Sequence, residues 1–168
     1  VGVEDLTLSG SSLSVEINRA SGDGRLVDFA ARNLAVNTSA GTEPSSINLA
    51  LDATEGELLR ARGELALDAF GFLQTSGAFA IEKKLGDLTL ADNPATDTDE
   101  SADVVAVDQL LIGASGLNAF AGINGGKANA IGLALEDVNL ALALQTERSG
   151  AARSWTTLQA GVGSAGFV

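Results

Sequence analysis

The sequence predicts an all-β protein: an elongated, mainly antiparallel wrapped sheet, sandwich- or solenoid-like, that stacks end to end with neighbouring copies. Three observations predict it. Apolar residues alternate at period two, and sustained 3.6-residue periodicity is missing. Asn-Gly and Ser-Gly turn signals separate the alternating runs. One short phrase, written for strands, occurs twice. Leu6-Thr-Leu8-Ser-Gly10-Ser-Ser-Leu13-Ser-Val15-Glu-Ile17 matches Leu133-Ala-Leu135-Glu-Asp137-Val-Asn-Leu140-Ala-Leu142-Ala-Leu144 at a constant offset of 127. Leu110 to Ala121 fits the same frame, and Glu64 to Ile81 fits it more loosely.

In chain order, the alternation predicts strands near Asp5–Ile17, Leu26–Phe29, Asn33–Asn37, Ser46–Asp52, Glu57–Leu67, Ala69–Glu82 and Asp87–Ala91. It continues with Val104–Ile112, Gly116–Ile123, Ala128–Leu135, Val138–Thr146, Ser154–Gly161 and Ser164–Val168. Glu55–Arg62 has the content for one helical turn, but Gly56 and Gly63 bracket it too closely for a stable helix. Asn124-Gly-Gly-Lys127 has the positive-φ residues of a tight hairpin, Ser21-Gly-Asp-Gly24 looks similar, and Lys83-Lys84-Leu85-Gly86-Asp87 is a looser version. Arg148-Ser-Gly-Ala151 joins two further strands. Hairpins at this spacing mean a meander rather than βαβ crossovers. Pro44 and Pro94 both sit in polar loop stretches.

The interruption inside each phrase makes an odd step, from Leu8 to Leu13 and from Leu135 to Leu140. Without a correction the half-phrases would face opposite sides of the sheet. A bend or bulge at Ser9–Ser12 and at Glu136–Asn139 returns them to one side and increases local twist. In Leu140-Ala-Leu142-Ala-Leu144 one face carries Leu and the other Ala, so neither is polar. Such a strand is expected to be either central in a layered structure or covered by another copy or segment, its Ala face allowing close approach of a neighbouring layer.

Composition excludes several classes. A chain of 168 residues suits a single domain, here one β-rich module spanning 1–168. There is no His, Cys, Met or Tyr. The usual general base, thiolate nucleophile, disulfide frame and tetrahedral zinc ligands are therefore missing together. A chain without Cys and Met also resists oxidation, which fits an exposed extracellular life. Net charge is −12, from 10 basic and 22 acidic side chains. Such a surface repels phosphate backbones and anionic lipid heads, so no nucleic-acid partner is expected. No apolar run is long enough for a membrane helix, and the start has no signal-peptide pattern, so no membrane insertion is expected. The acidic coat reads first as a solubility device and second as a divalent-cation binder.

Ser164-Ala-Gly-Phe167-Val168 joined to Val1-Gly-Val3-Glu-Asp-Leu6 reads as uninterrupted β pattern. Val1, Val3, Phe167 and Val168 are thus candidate contacts at a junction between copies, as in a tandem array.

Larger segments carry a resemblance. Leu6–Ser11, Asp68-Ala-Phe70-Gly-Phe72, Ser76-Gly-Ala-Phe79-Ala-Ile81-Glu-Lys83, Asn118-Ala-Phe120-Ala-Gly-Ile-Asn124-Gly125, Ile131–Leu135 and Arg153-Ser-Trp155 are involved. Together they resemble the tandem modules of giant bacterial secreted or surface proteins, including adhesins of the calcium-binding secreted class. The resemblance spans most of the chain on low-specificity Leu/Ala/Gly/Phe patterns. It implies an extracellular repeat used as spacer, adhesin or fibre subunit. The Gly-Gly-x-Gly-x-Asp calcium nonapeptide of that class does not occur here, so its calcium chemistry does not carry over.

Candidate chemistry is sparse. Asp92, Asp97, Asp99 and Asp103 lie in the densest acidic stretch, with the oxygen-rich spacing of a Ca²⁺ site. That stretch lacks the glycine and terminal Glu of the helix–loop–helix calcium loop, and its default reading is a solvated loop. No cofactor is expected, with calcium as the open possibility. Asp52 with Glu55, or Glu136 with Asp137, has the residue types of a glycosidase pair, but one Trp and no Tyr supply little sugar-stacking surface. Ser9, Ser11 and Ser76 lack a His for a triad. The glycine runs Gly113–Gly116 and Gly122–Gly126 suit hairpins and bends better than phosphate cradles, and Asn37-Thr-Ser39 fits a glycosylation acceptor. The expected role is a non-enzymatic structural repeat of an extracellular bacterial fibre, stalk or adhesin, partnered by copies of itself. The alternatives are a ligand-binding β domain with a calcium-ordered acidic loop and, behind it, a carboxylate hydrolase.

Overall fold

The computed structural model describes residues 5–39, 41, 44–91, 104–150 and 152–168. Among them are eight strands: β1 (Leu6–Asn18), β2 (Leu34–Asn37), β3 (Ser46–Leu49), β4 (Leu58–Ala69), β5 (Leu73–Thr89), β6 (Val104–Ile123), β7 (Ile131–Glu147) and β8 (Ser154–Phe167). The protein is all-β and antiparallel. Six strands form one sheet in the order β1-β4-β5-β6-β7-β8, and β2 pairs with β3 in a separate hairpin. The meander read from the turn signals is therefore present. Among the described residues no helix is long and apolar enough to cross a membrane.

The strands are longer and fewer than the alternation suggested. Four pairs of expected strands fuse into β5, β6, β7 and β8. Lys83–Asp87, expected as a loose hairpin, lies inside β5 with Lys83 and Lys84 flanked by Leu59 and Leu58 on one side and Leu110 and Gln109 on the other. Neighbours on both sides of Lys83 and Lys84, and β6 alone beside Leu85–Asp87, hold the segment extended despite its polar composition. Leu26–Phe29 is not a strand. Helical structure near Glu55 is one 3₁₀ turn, Ala53–Glu55, capped by Asp52.

Following cross-strand partners separates the two faces. One row reads Leu6, Ala69, Leu73, Ala121, Leu133, Phe167. Another, farther down, reads Val15, Ala61, Ile81, Ile112, Leu142, Leu158. In β4, whose ladders carry no register shift on its own side, all of Leu59, Ala61, Leu65, Leu67 and Ala69 share this face by the two-residue period. The opposite face carries the row Glu16, Arg60, Glu82, Leu111, Ala143, Thr157 and the row Thr7, Asp68, Gln74, Phe120, Ala134, Gly166. The Ala positions of β7 thus belong to a face that is polar elsewhere. Apolar–Ala alternation inside one strand hid this, because the polar groups come from its neighbours.

The sheet is one layer. Leu58, Val107 and Ala114 are the buried apolar residues among those described, so the layered packing expected around Leu140–Leu144 is not present there. The accessible surface is 11613 Å². A compact monomer of this mass would expose about 7,700 Å². Among the described residues, large apolar side chains such as Leu8, Val15 and Leu158, each more than 60% exposed, stand on a face that no other described segment covers.

Candidate functional site

The two bulges inferred from the repeated phrase are present in β1 and β7, and β6 carries a third. In β1 the register shifts between Ser11 and Ser14, where Ser12 has φ 52°. In β6 it shifts around Gly116, φ 58°, and in β7 Asp137 has φ 53°. Each positive-φ residue directly precedes an apolar one: Leu13, Leu117 or Val138. An added left-handed residue turns the next side chain back to the apolar face, which is how a bulge preserves sidedness across an odd step. Glycines sit opposite. A Cβ on Gly63 would meet the Leu13 side chain, and one on Gly163 would stand 3.0 Å from the Asp137 Cβ.

The polar face holds the described groups with chemistry. Arg60 is the centre of a cluster: its Nε donates to Glu82 at 2.6 Å, its Nη2 to Glu55 at 2.6 Å and its Nη1 to Glu16 at 3.2 Å. Lys84 Nζ reaches the other Glu82 oxygen at 2.7 Å. Burial raises the Glu82 pKa, but the hydrogen bonds from Lys84 and Arg60 outweigh it and hold the carboxyl below its ordinary range. The hydrogen bond to Glu82 raises the Arg60 guanidinium pKa further. This network ties β1, β4, β5 and the Ala53–Glu55 turn together. It binds its own charges and leaves no open acid–base pair. Beside it Asn18 and Leu58 are buried where the β1–β4 connection crosses: Asn18 Nδ2 donates to the Val27 carbonyl, and Ala20 N–H donates to Glu57.

Farther along the same face lies a shallow groove of about 500 Å³, lined among others by Ser9, Asp68, Gln74, Asn118, Phe120 and Glu136. Asp68 accepts from Gly71 N–H and from Gln74 Nε2, so it too is internally satisfied. Phe120 covers backbone. Cβ atoms added to Gly122, Gly125 or Gly132 would come within 2.9 Å of its ring. Gly122 and Gly125 were read as hairpin or bend residues; Gly122 and its cross-strand partner Gly132 instead make room for the ring.

The remaining candidates are placed as follows. Asp92, Asp97, Asp99, Asp103, Val1 and Val3 lie outside the described residues. Phe167 ends β8 and is 89% exposed; Val168 exchanges two backbone hydrogen bonds with Gly132. Asp52 accepts from Thr54 N–H and Oγ1, which lower its pKa, and Glu55 is held by Arg60. Glu136 accepts from Ser164, and Asp137 from Asn139. Each carboxylate proposed for hydrolysis thus serves local structure. Ser11 donates to Glu64, and Asn37 accepts from Ser39 N–H and Oγ. The Arg60 cluster and the Arg153–Glu147 pair, with Arg153 5.4 Å over the Trp155 ring, escaped the sequence reading because their partners are far apart in the chain or across a turn. Among the described residues no group of three or more acidic side chains converges as for a metal ion.

The edges complete the picture. β1 and β8 are the two outer strands, 13 and 14 residues long. Between them they contain no Lys, no Arg and no Pro, and their single charge is Glu16. No protein-family profile matches the chain, and no curated protein or solved structure matches it.

Proposed function

We propose that this chain is a structural unit that joins copies of itself edge to edge, as a repeat of an extracellular bacterial fibre, stalk or adhesin. One observation carries the reading: both outer strands are long and lack the lysines, prolines and shortness that keep sheet edges from pairing. Six alternating strands make β1 and β8 antiparallel to each other. A further β1 laid beside β8 therefore continues the meander in the same sense. Leu6 and Phe167 share one lateral row, so a chain leaving β8 would enter the next β1 at the level where it left. The extracellular setting rests on the oxidation-resistant composition and on the resemblance to secreted tandem modules.

The function is mechanical. Each junction adds a ladder of backbone hydrogen bonds and buries apolar edge residues at about 25 cal/mol per Å². Pairing of β1 with β8 is heterologous and does not close at two copies, so it yields open series. The test compares the single chain with a double-length chain. The double chain is expected to unfold at a higher temperature, and filaments with this lateral unit are expected by electron microscopy. Equal unfolding midpoints would sink the proposal.

A further inference from the structure

We propose that the apolar face of the six-stranded sheet is a second interface, covered by the apolar face of another copy to make a two-layer sandwich. Edge pairing does not cover this face, so the inference stands apart from the edge-to-edge reading.

The face is too large to leave in water. Between the Leu6–Phe167 row and the Val15–Leu158 row no position is charged, and the net charge of −12 lies elsewhere. Six strands about 4.8 Å apart and eight residue steps of about 3.3 Å give about 760 Å². The largest apolar patch of an ordinary monomer is about 300–600 Å². A standard stable interface takes about 800 Å² from each partner, so one further sheet of the same size suffices.

The relief of the face also suits a copy of itself. The row Gly63, Phe79, Ala114, Leu140, Ala160 alternates small and large, as does Leu6, Ala69, Leu73, Ala121, Leu133. Ridges of Leu and Phe beside troughs of Gly and Ala are what two inner sandwich faces interdigitate. Pairing by this face turns both acidic, ion-paired faces outward to solvent. A bilayer would be the competing cover. Strands that face lipid are flanked by aromatic girdles, whereas this chain has no Tyr and its Trp155 stands on the opposite face, in the row of Gln145.

The test is the mass of the whole chain in detergent-free buffer, by light scattering across rising concentration. A two-fold face contact closes at a dimer, whereas edge pairing gives an open ladder of sizes, so the two associations fail separately. Leu142→Glu is expected to abolish the dimer step. Ala141→Glu, the next residue on the opposite face, is expected to leave it. The natural chain has no Cys. Ile112→Cys is therefore expected to be captured as a dimer by a thiol crosslinker spanning about 10 Å, the spacing of stacked sheets. Ala141→Cys is not. This arm needs no disruptive substitution. The proposal is overturned by equal crosslinking of both Cys variants, by a natural chain that stays monomeric, or by one that floats with phosphatidylcholine vesicles in preference to dimerising.

Discussion

Leu117 lies so close across the β5–β6 ladder from Gly77 that a Cβ on Gly77 would stand 2.8 Å from the Leu117 Cα. The contact is backbone against backbone, so no rotamer change relieves it. Gly77→Ala is expected to cost about 1–3 kcal/mol, the range for overpacking a tight site. Gly113, four residues before Leu117 on the same strand, has open space where its Cβ would be and no positive φ. Gly113→Ala is expected to be neutral or to stabilise by about 0.4–1 kcal/mol through the unfolded state. Urea unfolding of the two variants checks the contrast. Equal effects would remove the bulge line as the reason for the glycines.

Ser12 and Gly116 occupy the same kind of bulge position with different residues. Both have positive φ, 52° and 58°. A non-glycine there pays the left-handed cost of about 1–2 kcal/mol. Ser12→Gly is accordingly expected to raise stability by up to about 1 kcal/mol, and Gly116→Ala to lower it by about 1–2 kcal/mol. Thermal unfolding measures both, and a destabilising Ser12→Gly would count against the assigned backbone geometry.

These positions also mark how far the fold could be read in advance. The odd step from Leu8 to Leu13 was visible because apolar residues flank it, and parity alone demanded a bulge there. The third bulge, at Gly116, was read as a strand break. Glycine lowers strand propensity locally, and only the lateral neighbours Gly77 and Asn139 reveal that the ladder continues; Gly116 N–H donates to Asn139 Oδ1. The polar face was illegible for a related reason. Arg60 is adjacent in sequence to Leu59 and Ala61, whereas its partners Glu16 and Glu82 come from other strands. Periodicity reports which side of a strand a residue takes, not which charges from other strands share that side.

The Arg60 cluster has a pH signature. Glu82 has a folded pKa below its unfolded value. Its contribution is therefore present above the unfolded value of about 4.3 and is lost as pH falls through the lower, folded one. Arg60→Met removes the shared cation and leaves Glu16, Glu55 and Glu82 on one face. It is expected to cost about 2–4 kcal/mol at pH 7, and less in acid, where Glu82 takes up its proton. Urea unfolding of both proteins at pH 7 and pH 4 makes the comparison. A deficit that grows on acidification would contradict the network as drawn.

The length of β5 gives a test at single amides. Its ladder with β4 stops at the Leu58–Lys84 pair, while its ladder with β6 runs on to Thr89 and Val104. From Leu85 to Thr89 the strand thus has a partner on one side. In an antiparallel pair successive residues point their N–H groups alternately toward and away from that partner. Hydrogen exchange followed by NMR should therefore show every second amide of Leu85–Thr89 protected and the others exchanging rapidly. A hairpin at Lys83–Asp87, as its polar composition suggested, would expose the whole run. Protection of alternate amides would establish that the long strands, and the uninterrupted faces that depend on them, persist in solution; uniform fast exchange would cut the sheet at Glu82.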